Sequence, residues 1–467
     1  MRDEHSRAMS FPRVLDAFIF YSLLAIIPLT AVPYGAVEPW WVAVFECAVF
    51  LLAIAGVAAA VSSKSPTRAD LKLVAPLLTL ILFMVLQSLP LLPGSAPTKV
   101  ALSADPYGTR MFAVKLLALV VFGFMLLRHI SSNSRLRTLI YVVIGVGAAC
   151  AVFGILRKSF QHEPGFLLPA LSNDGRSFAQ FVNRNHFAFL MEMALGLTLG
   201  VLIGDDSRRR KLAVFLPIAL LLWVALVFSN SRGGILASLC QLLLLGVMLD
   251  PLRRSDRQSP GTIWTRFQSL VGGLALRAFL VVCLIAVFAY GVGWIGGESV
   301  VSNFELAGTA FTQQGMENRA NTSRREIWSA TWQAIKANPI AGAGFGGYWI
   351  AIRKYHDASG EFTPQQAHND YLELLASGGL IGCALAAWFV AVFVSRARRS
   401  LRSQDAYCRG ATLGALAGIF GVLLHSFVDF GLHITANAVV FCTLIVVVVH
   451  CSGETRSLTR PQVSLQV

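Results

Sequence analysis

The chain has 467 residues, of which 55% are hydrophobic and only 14% are charged, and its mean hydropathy is +0.63. A soluble protein of this length needs a charged surface and rarely reaches this apolar fraction, so the composition excludes a soluble enzyme and predicts a polytopic membrane protein. The formal net charge of +14 would suggest a nucleic-acid partner for a soluble chain. In a membrane protein, the excess of lysine and arginine on the cytoplasmic side explains most of this charge.

Apolar runs of about 17–25 residues predict twelve membrane spans, because this length of helix crosses roughly 30 Å of hydrocarbon. The first run follows three arginines, as in a signal peptide, but it is too long for a typical signal sequence and continues into a second span. We therefore expect a retained anchor and an all-α, polytopic inner-membrane helix bundle of about 12 transmembrane helices. The predicted spans lie at residues 14–32, 39–61, 72–92, 111–129, 136–156, 186–203, 211–229, 233–249, 273–296, 368–394, 408–428 and 432–450.

Basic residues predict the orientation of the bundle. The loops after spans two, four, six, eight and ten all carry several lysines or arginines. The positive-inside rule places these loops and both chain termini in the cytoplasm, so the long polar segment at about 297–366 faces the periplasm. We predict three regions: residues 1–296 with spans 1–9, residues 297–367 as a large periplasmic loop with short helices, and residues 368–467 with spans 10–12 and a cytoplasmic tail.

Three outward connections break this charge pattern because they also carry basic residues. Arginine beside glycine and small polar residues suits anion binding, since its planar fork donates two hydrogen bonds to phosphate oxygens. The alternative is that lipid headgroups or helix ends satisfy these groups, and we favour it for Lys336, Arg353 and Lys354. The tight turn at 228–234 predicts that Arg232 lies near the bundle interior, where an ionisable group is functional by default. The other basic residues are Arg157, Lys158, Arg176 and Arg184 in residues 157–185, and Arg319, Arg324 and Arg325 in the long segment.

Residues 324–336 of the long segment have helical spacing, with Trp328, Trp332 and Ile335 on one apolar stripe. We expect this stripe to pack on the bundle or lie at the membrane interface, and Asn338-Pro339 to end the helix. The glycine-rich run 342–347 superficially resembles a dinucleotide-binding loop, but it follows a helix instead of a strand. We therefore expect a tight turn that returns the chain to the membrane.

His368 stands where this polar segment meets an apolar run, so it can be wetted from one side and held rigidly from the other. That position suits a proton-transfer group, although a merely capped helix start is an equal alternative at this point. In the last outward turn, His425 and Asp429 are four residues apart and are expected to share a helix face, with a helix-holding role slightly favoured over a catalytic one. The eight cysteines are scattered singly, which argues against a disulfide framework or a zinc site.

Several of these motifs together resemble the O-antigen ligase and polymerase superfamily of bacterial envelope glycosyltransferases. In that family an arginine four residues before a tryptophan precedes an N-P…G-x-G turn, and an H-N-x-x-L stretch opens the next helix. The resemblance extends over roughly residues 180–430. It is carried by Phe181–Phe187 (FVNRNHF), Ser231–Gly234 (SRGG), Arg324 with Trp328, Asn338-Pro339 with Gly342 and Gly344, and His368–Leu372 (HNDYL).

The resemblance implies an inner-membrane enzyme that acts on the periplasmic face without a metal or other cofactor and inverts the anomeric centre. The donor is a glycan on undecaprenyl pyrophosphate. The acceptor is a sugar of lipid A-core in the ligase branch, which we favour, another glycan repeat in the polymerase branch, or a protein hydroxyl in a third branch. A lipid flippase or transporter is the non-enzyme alternative, but it should show repeated halves with broken helices, and the sequence has no such repeat.

The resemblance also implies roles for individual residues. His368 is the expected general base, and Arg184, Arg232 and Arg324 are the expected pyrophosphate clamp, because arginine can stabilise the charge of a leaving pyrophosphate without a metal. Arg325 and Arg319 are second choices for the clamp. The residues expected to support the site are Asn183, His186, Asn369, Asp370 and Glu373, with Asp370 or Glu373 orienting the His368 ring.

Overall fold

The computed structural model describes residues 11–63, 71–93, 99–160, 177–204, 208–255, 324–356 and 364–453. These residues are almost entirely helical, which confirms the predicted all-α bundle. The helices are α1 (Phe11–Ala31), α2 (Pro39–Ser63), α3 (Leu71–Ser88), α4 (Pro106–His129), α5 (Asn133–Phe160), α6 (Arg184–Ile203), α7 (Arg208–Phe228), α8 (Arg232–Ser255), α9 (Arg324–Ala337), α10 (Tyr348–Ala351), α11 (Asp370–Leu401), α12 (Ala406–His425) and α13 (Thr435–Cys451).

Short elements complete the described part of the chain. Single 3-10 turns occupy Ile352–Lys354 and Gly431–His433. Two two-residue strands, β1 (Leu92–Pro93) and β2 (Lys99–Val100), pair antiparallel between α3 and α4.

Eleven of the twelve predicted spans coincide with apolar helices. Seven helices are long and apolar enough to cross a membrane, and four shorter apolar helices match the remaining spans in the described ranges. The predicted ninth span at 273–296 lies outside the described residues, as does the part of the predicted periplasmic loop before residue 324. The division into three regions remains a prediction.

The centre of the bundle is the contact between α6 and α12. Gly196 and Gly200 of α6 face Gly410 and Gly414 of α12, and a methyl group added at Gly414 would lie 2.4 Å from the Gly196 carbonyl oxygen. Small residues let helix backbones approach this closely in a membrane protein. The two helices are therefore in fixed register, with the N-terminus of α6 beside the chain that leaves α12.

The predicted helix at 324–336 is confirmed as α9, and it ends at Ala337 just before Asn338-Pro339. Its apolar face, however, is rotated from the predicted stripe. The buried residues are Ile327, Ala330, Thr331, Ala334 and Ile335, whereas Trp332 is 49% exposed. Ala330, Thr331 and Ala334 lie between the two isoleucines on this packed face, where α9 contacts α11, and Trp332 lies outside it.

The glycine-rich run after α9 docks into a break in α11. Gly379 has φ of +59° and interrupts the helix. The Ala343 N–H donates to the Ala376 carbonyl at 2.8 Å, and on the other side of the break the Leu380 N–H donates to the Pro339 carbonyl at 2.9 Å. The expected tight turn is therefore present, and it fastens the segment before His368 to the bundle.

Candidate active site

Asp429 is the centre of a cluster of polar side chains at the end of the bundle where α12 finishes. Its carboxylate is fully buried and is surrounded by side chains from three other segments. His368 Nδ1 lies 3.6 Å from Asp429 Oδ1, and His186 Nε2 lies 3.9 Å from the same oxygen. Arg324 Nη2 lies 4.0 Å from Oδ2. We call these four residues the Asp429 cluster.

Asn185 connects this cluster to the turn before α8. Its side-chain amide donates a short hydrogen bond to Asp429 Oδ2, and its Oδ1 accepts a hydrogen bond of 2.8 Å from the Ser231 hydroxyl. Ser231 Oγ also accepts the Gly234 N–H at 3.1 Å, so Ser231 caps the N-terminus of α8. The two motifs at 181–187 and 231–234 therefore meet at Asp429.

Asp429 stays ionised although it is buried. Burial alone would raise the pKa of this carboxyl, but His368, His186 and Arg324 outweigh burial and hold the pKa below its ordinary value of 3.8. A buried carboxylate that keeps its charge can stabilise a positive charge that forms on a neighbouring imidazole.

His368 is held in a left-handed backbone conformation with φ of +50°, which costs a non-glycine residue roughly 1–2 kcal/mol. The backbone of Ala367, the residue before it, is held through both its N–H and its carbonyl. Trp328 Nε1 donates to the Ala367 carbonyl at 3.0 Å, and the Glu373 carboxylate accepts the Ala367 N–H at 2.9 Å. Because Arg324 and Trp328 are one turn apart on α9, a single helix supplies both a cation to Asp429 and an anchor for the His368 loop.

The two histidines of the cluster differ in their access to solvent. Both rings meet Phe430 edge-on, each with a centroid distance of 4.8 Å. The His186 side chain is 7% exposed, whereas the His368 side chain is 33% exposed. Because Nδ1 of His368 faces Asp429, its Nε2 is the nitrogen that is free to meet a substrate.

The arginines predicted as an anion clamp lie on three helices. Arg184 is the half-buried first residue of α6, and Arg232 is the first residue of α8. Each is next in sequence to one end of the Asn185–Ser231 hydrogen bond, so these two helix N-termini are close together. Helix N-termini carry partial positive charge, which adds to that of the guanidinium groups. Arg325 is exposed on α9, and Arg319 lies outside the described residues.

The expectation that Arg232 lies near the bundle interior is wrong. Arg232 is exposed, whereas Ser231, Gly233 and Gly234 around it are buried. The two glycines face the bundle, since a methyl group added at Gly233 would lie 2.6 Å from the His425 ring. The side chain at position 232 is therefore left at the mouth of the bundle.

Other outward basic residues have structural partners. Arg157 donates a short hydrogen bond to the Ala179 carbonyl, and Lys158 Nζ donates to the Phe228 carbonyl at 2.6 Å. Arg353 stacks on the Trp349 ring at 4.6 Å. Arg176 lies outside the described residues.

The asparagines predicted to support the site cap helices. Asn183 begins α6 by accepting the Asn185 N–H at 2.8 Å, and Asn369 begins α11 by accepting the N–H groups of Tyr371 and Leu372, both at 3.0 Å. The capped helix start considered for this stretch is therefore present. It orders the residue next to His368 and does not exclude a chemical role for the histidine itself.

Asp370 and Glu373 do not orient the His368 ring as expected. Asp370 accepts a hydrogen bond of 2.7 Å from the Ser426 hydroxyl, and both carboxylates lie 3.5 Å from His433 Nε2. Both carboxylates belong to the first turn of α11, and this turn lies beside the connection at residues 426–433. The carboxylate beside the His368 ring is Asp429.

His425 and Asp429 have separate partners. Helix α12 ends at His425, whose Nδ1 lies 2.7 Å from Glu192 Oε1 inside the bundle, and both of these side chains are buried. The helix-holding role predicted for the pair fits His425, whereas Asp429 lies beyond the helix end, in the cluster. Glu192 was not among the predicted residues, although a carboxylate within the apolar run of α6 is the kind of signal that marks an interior polar site.

These features define a polytopic membrane protein with a polar cluster of imidazole, carboxylate and guanidinium groups at one end of its bundle. Residues 217–387, a little over a third of the chain, match the model of the O-antigen ligase family. The match includes Arg232, Arg324 and His368. It confirms the recognition from the motifs at the level of the O-antigen ligase and polymerase superfamily. No curated protein matches the chain.

The match supports membrane glycosyl transfer in general, and the matched family implies a polyprenyl-linked glycan and a lipid acceptor as general substrate classes. Asp429, Asn185 and Arg184 lie outside the matched range. The fold brings Asp429 and Asn185 into contact with each other and brings Asp429 close to the matched residues Arg324 and His368.

Proposed function

We propose that the chain is a periplasm-facing O-antigen ligase that moves a glycan from undecaprenyl pyrophosphate to a hydroxyl of lipid A-core oligosaccharide in the inner membrane. The observation that carries this proposal is the placement of a partly exposed His368 between a buried, ionised Asp429 and the mouth of the bundle. An imidazole backed by a carboxylate is the arrangement that general-base catalysis requires. The family match supplies the substrate classes.

His368 activates the acceptor. With its Nδ1 proton directed at Asp429, Nε2 carries the lone pair that takes the proton from the acceptor hydroxyl. The hydroxyl oxygen forms a bond to the anomeric carbon as the bond from that carbon to the pyrophosphate oxygen breaks, which inverts the configuration. The positive charge that develops on the imidazole is stabilised by Asp429, 3.6 Å away.

The arginines stabilise the pyrophosphate leaving group of the donor. Departure of undecaprenyl pyrophosphate leaves additional negative charge on its phosphate oxygens, and Arg184 and Arg232 stand at adjacent helix N-termini where such charge is stabilised. Arg324 is the link between the two halves of the reaction because it also faces Asp429. No divalent metal is required in this scheme. Among the described residues, no group of three or more His, Cys, Asp or Glu side chains is arranged to hold one.

The break in α11 bears on the transporter alternative, which expects broken helices. The backbone of residues 339–344 occupies the break and satisfies its polar groups. The break therefore does not open a polar site, and it does not favour transport.

The proposal is tested by the lipopolysaccharide profile of a deletion strain complemented with variants. His368→Ala is expected to abolish polymer on the core while carrier-linked chains remain, and His356→Ala, which changes a histidine outside the Asp429 cluster, is expected to restore the wild-type profile. Single-repeat caps on the core would instead assign the chain as a polymerase. Full activity of His368→Ala in membranes that contain the protein would refute the general-base role.

The metal-independent scheme has its own test. Transfer in isolated membranes is expected to continue in the presence of a chelator and to gain nothing from added Mg²⁺ or Mn²⁺. Strict dependence on either ion would contradict the arginine clamp.

A further inference from the structure

A groove within the membrane-spanning part of the bundle has no role in the chemistry described above. It lies between α3, α4, α11 and α13 and has a volume of about 280 Å³. Its lining is overwhelmingly apolar, and Lys115 and His433 are the basic side chains among the described residues that line it. Most of the lining residues on α4 are only half-buried, so the groove is not a sealed core cavity.

The groove follows α4 over most of its length. The residues of α4 that line it run from Phe112 to Leu127 at helical spacing. At 1.5 Å per residue this is about 22 Å of helix axis, which is well over half of the roughly 30 Å hydrocarbon thickness. A hydrocarbon chain that fills the groove therefore has to be longer than one leaflet.

One end of the groove reaches the candidate active site. Lys115 Nζ donates to the His433 carbonyl at 2.7 Å, which joins α4 to the turn before α13. The His433 ring lies 6.1 Å from the Phe430 ring, and Phe430 in turn lies 4.8 Å from His368. Two ring contacts thus separate the groove from the proposed base.

We propose that this groove holds the hydrocarbon chain of the polyprenyl donor, and this inference rests on the proposed function. The volume lies just under the range of roughly 300–1,000 Å³ for pockets that enclose one drug-sized ligand. It has room for a length of one chain and not for the several chains of a multiply acylated acceptor. The length along α4 selects a chain that crosses the bilayer midplane, which an acyl chain of one leaflet does not do.

Lys115 closes the groove and does not bind the donor's phosphates. Its amine is engaged by the His433 carbonyl, and its charge is opposed by that of Glu46 on α2. The pyrophosphate therefore lies beyond His433, on the side of Arg324 and the helix N-termini.

Two neighbouring residues of α3 give a matched pair for a test. Leu77 lines the groove, whereas Leu78 is 44% exposed on the outer surface of the same helix. Leu77→Trp is expected to fill part of the groove and raise the KM for a long-chain polyprenyl donor roughly tenfold, the effect of losing contact with about two methylene groups. The KM for a donor of only a few isoprene units is expected to change little. Leu78→Trp is expected to leave both constants at their wild-type values.

Equal effects of the two substitutions, or a wild-type enzyme that does not distinguish long from short donors, would overturn the groove assignment. Melting curves of the purified variants show whether Leu77→Trp is folded. If it is not, the smaller change Leu77→Phe replaces it.

A photoreactive polyprenyl phosphate provides a readout that does not need turnover. Cross-links to α3, α4 and α13 that unlabelled polyprenyl phosphate competes away would support the groove even if no transfer were found, in which case the proposed function alone would fail. Cross-links elsewhere, or equal competition by a diacyl phospholipid, would overturn the inference. Occupation of the groove by residues 273–296 of the chain itself would be seen as a peptide cross-link from a photoreactive residue at position 77 and would also overturn it.

Discussion

Replacing Asp429 by asparagine removes the charge at the centre of the site and keeps the shape of the side chain. The asparagine oxygen can still accept the Phe430 N–H, which Asp429 Oδ1 accepts at 2.9 Å. What is lost is the negative charge 3.6 Å from His368 and 4.0 Å from Arg324, together with the hydrogen bond that Oδ2 accepts from the Asn185 side-chain amide. We therefore expect Asp429→Asn to fold and to transfer glycan slowly.

The size of the loss follows from the distance and the exposure of the imidazole. Two unit charges 4 Å apart interact by about 4 kcal/mol at the effective dielectric constant of about 20 that suits protein sites. His368 is one-third exposed, and solvent screening reduces this figure, so about 2–4 kcal/mol of transition-state stabilisation is at stake. At about 1.36 kcal/mol per tenfold in rate, kcat is expected to fall roughly 30- to 1,000-fold.

The assay is in vitro transfer by purified protein in nanodiscs, normalised to the folded fraction. Asp16→Asn is the matched control, because Asp16 also contacts a histidine and an arginine, His129 and Arg135, each at 2.6 Å. This second carboxylate lies on α1 and is not part of the Asp429 cluster. A loss for Asp429→Asn no larger than that for Asp16→Asn would refute the reasoning, as would a loss confined to the KM for the donor.

Three further outcomes follow from the same geometry. Trp328→Phe removes the hydrogen bond to the Ala367 carbonyl, next to His368. It is expected to lower kcat about tenfold, the effect of one lost hydrogen bond. The control Trp332→Phe, on the exposed side of α9, should be neutral in the same transfer assay. Arg232→Lys is expected to lose most activity because a point charge does not replace a bidentate fork, and wild-type rates in membranes containing the variant would contradict its clamp role. The lowered pKa of Asp429 means that its stabilising effect is present above about pH 3.8 and is lost only as pH falls through its still lower folded-state pKa. The difference in melting temperature between wild type and Asp429→Asn should therefore not shrink between pH 7 and pH 5, and a smaller difference at pH 5 would show that the carboxylate protonates in this range.

The sequence predicted the bundle well because the length of an apolar run is itself a physical requirement for crossing a membrane. The helix α9 and its end before Asn338-Pro339 were also accessible, since helical spacing and proline geometry are local properties. The buried face of α9 could not be predicted from the sequence, because it depends on which residues of α9 pack against α11. Trp332 is exposed for this reason despite its apolar ring.

The site was predicted in its components and not in its arrangement. His368, Arg324 and Arg184 were identified from motifs, but the carboxylate that faces His368 comes from Asp429, which is 61 positions further along the chain. Asp370 was the nearer choice in sequence. A helix directs its first side chains by its own geometry, and here that geometry turns Asp370 towards Ser426. Which helix ends meet is a tertiary property that no local pattern contains.

The docking of residues 339–344 into the break of α11 has a mechanical consequence. The hydrogen bonds that close the break join the chain after α9 to the middle of a membrane helix. Since Arg324 and Trp328 belong to α9 and His368 lies just before α11, these hydrogen bonds fasten both sides of the candidate site to the same membrane helix. Under the proposed function, a long glycan therefore passes a rim that is anchored in the membrane bundle before it reaches His368.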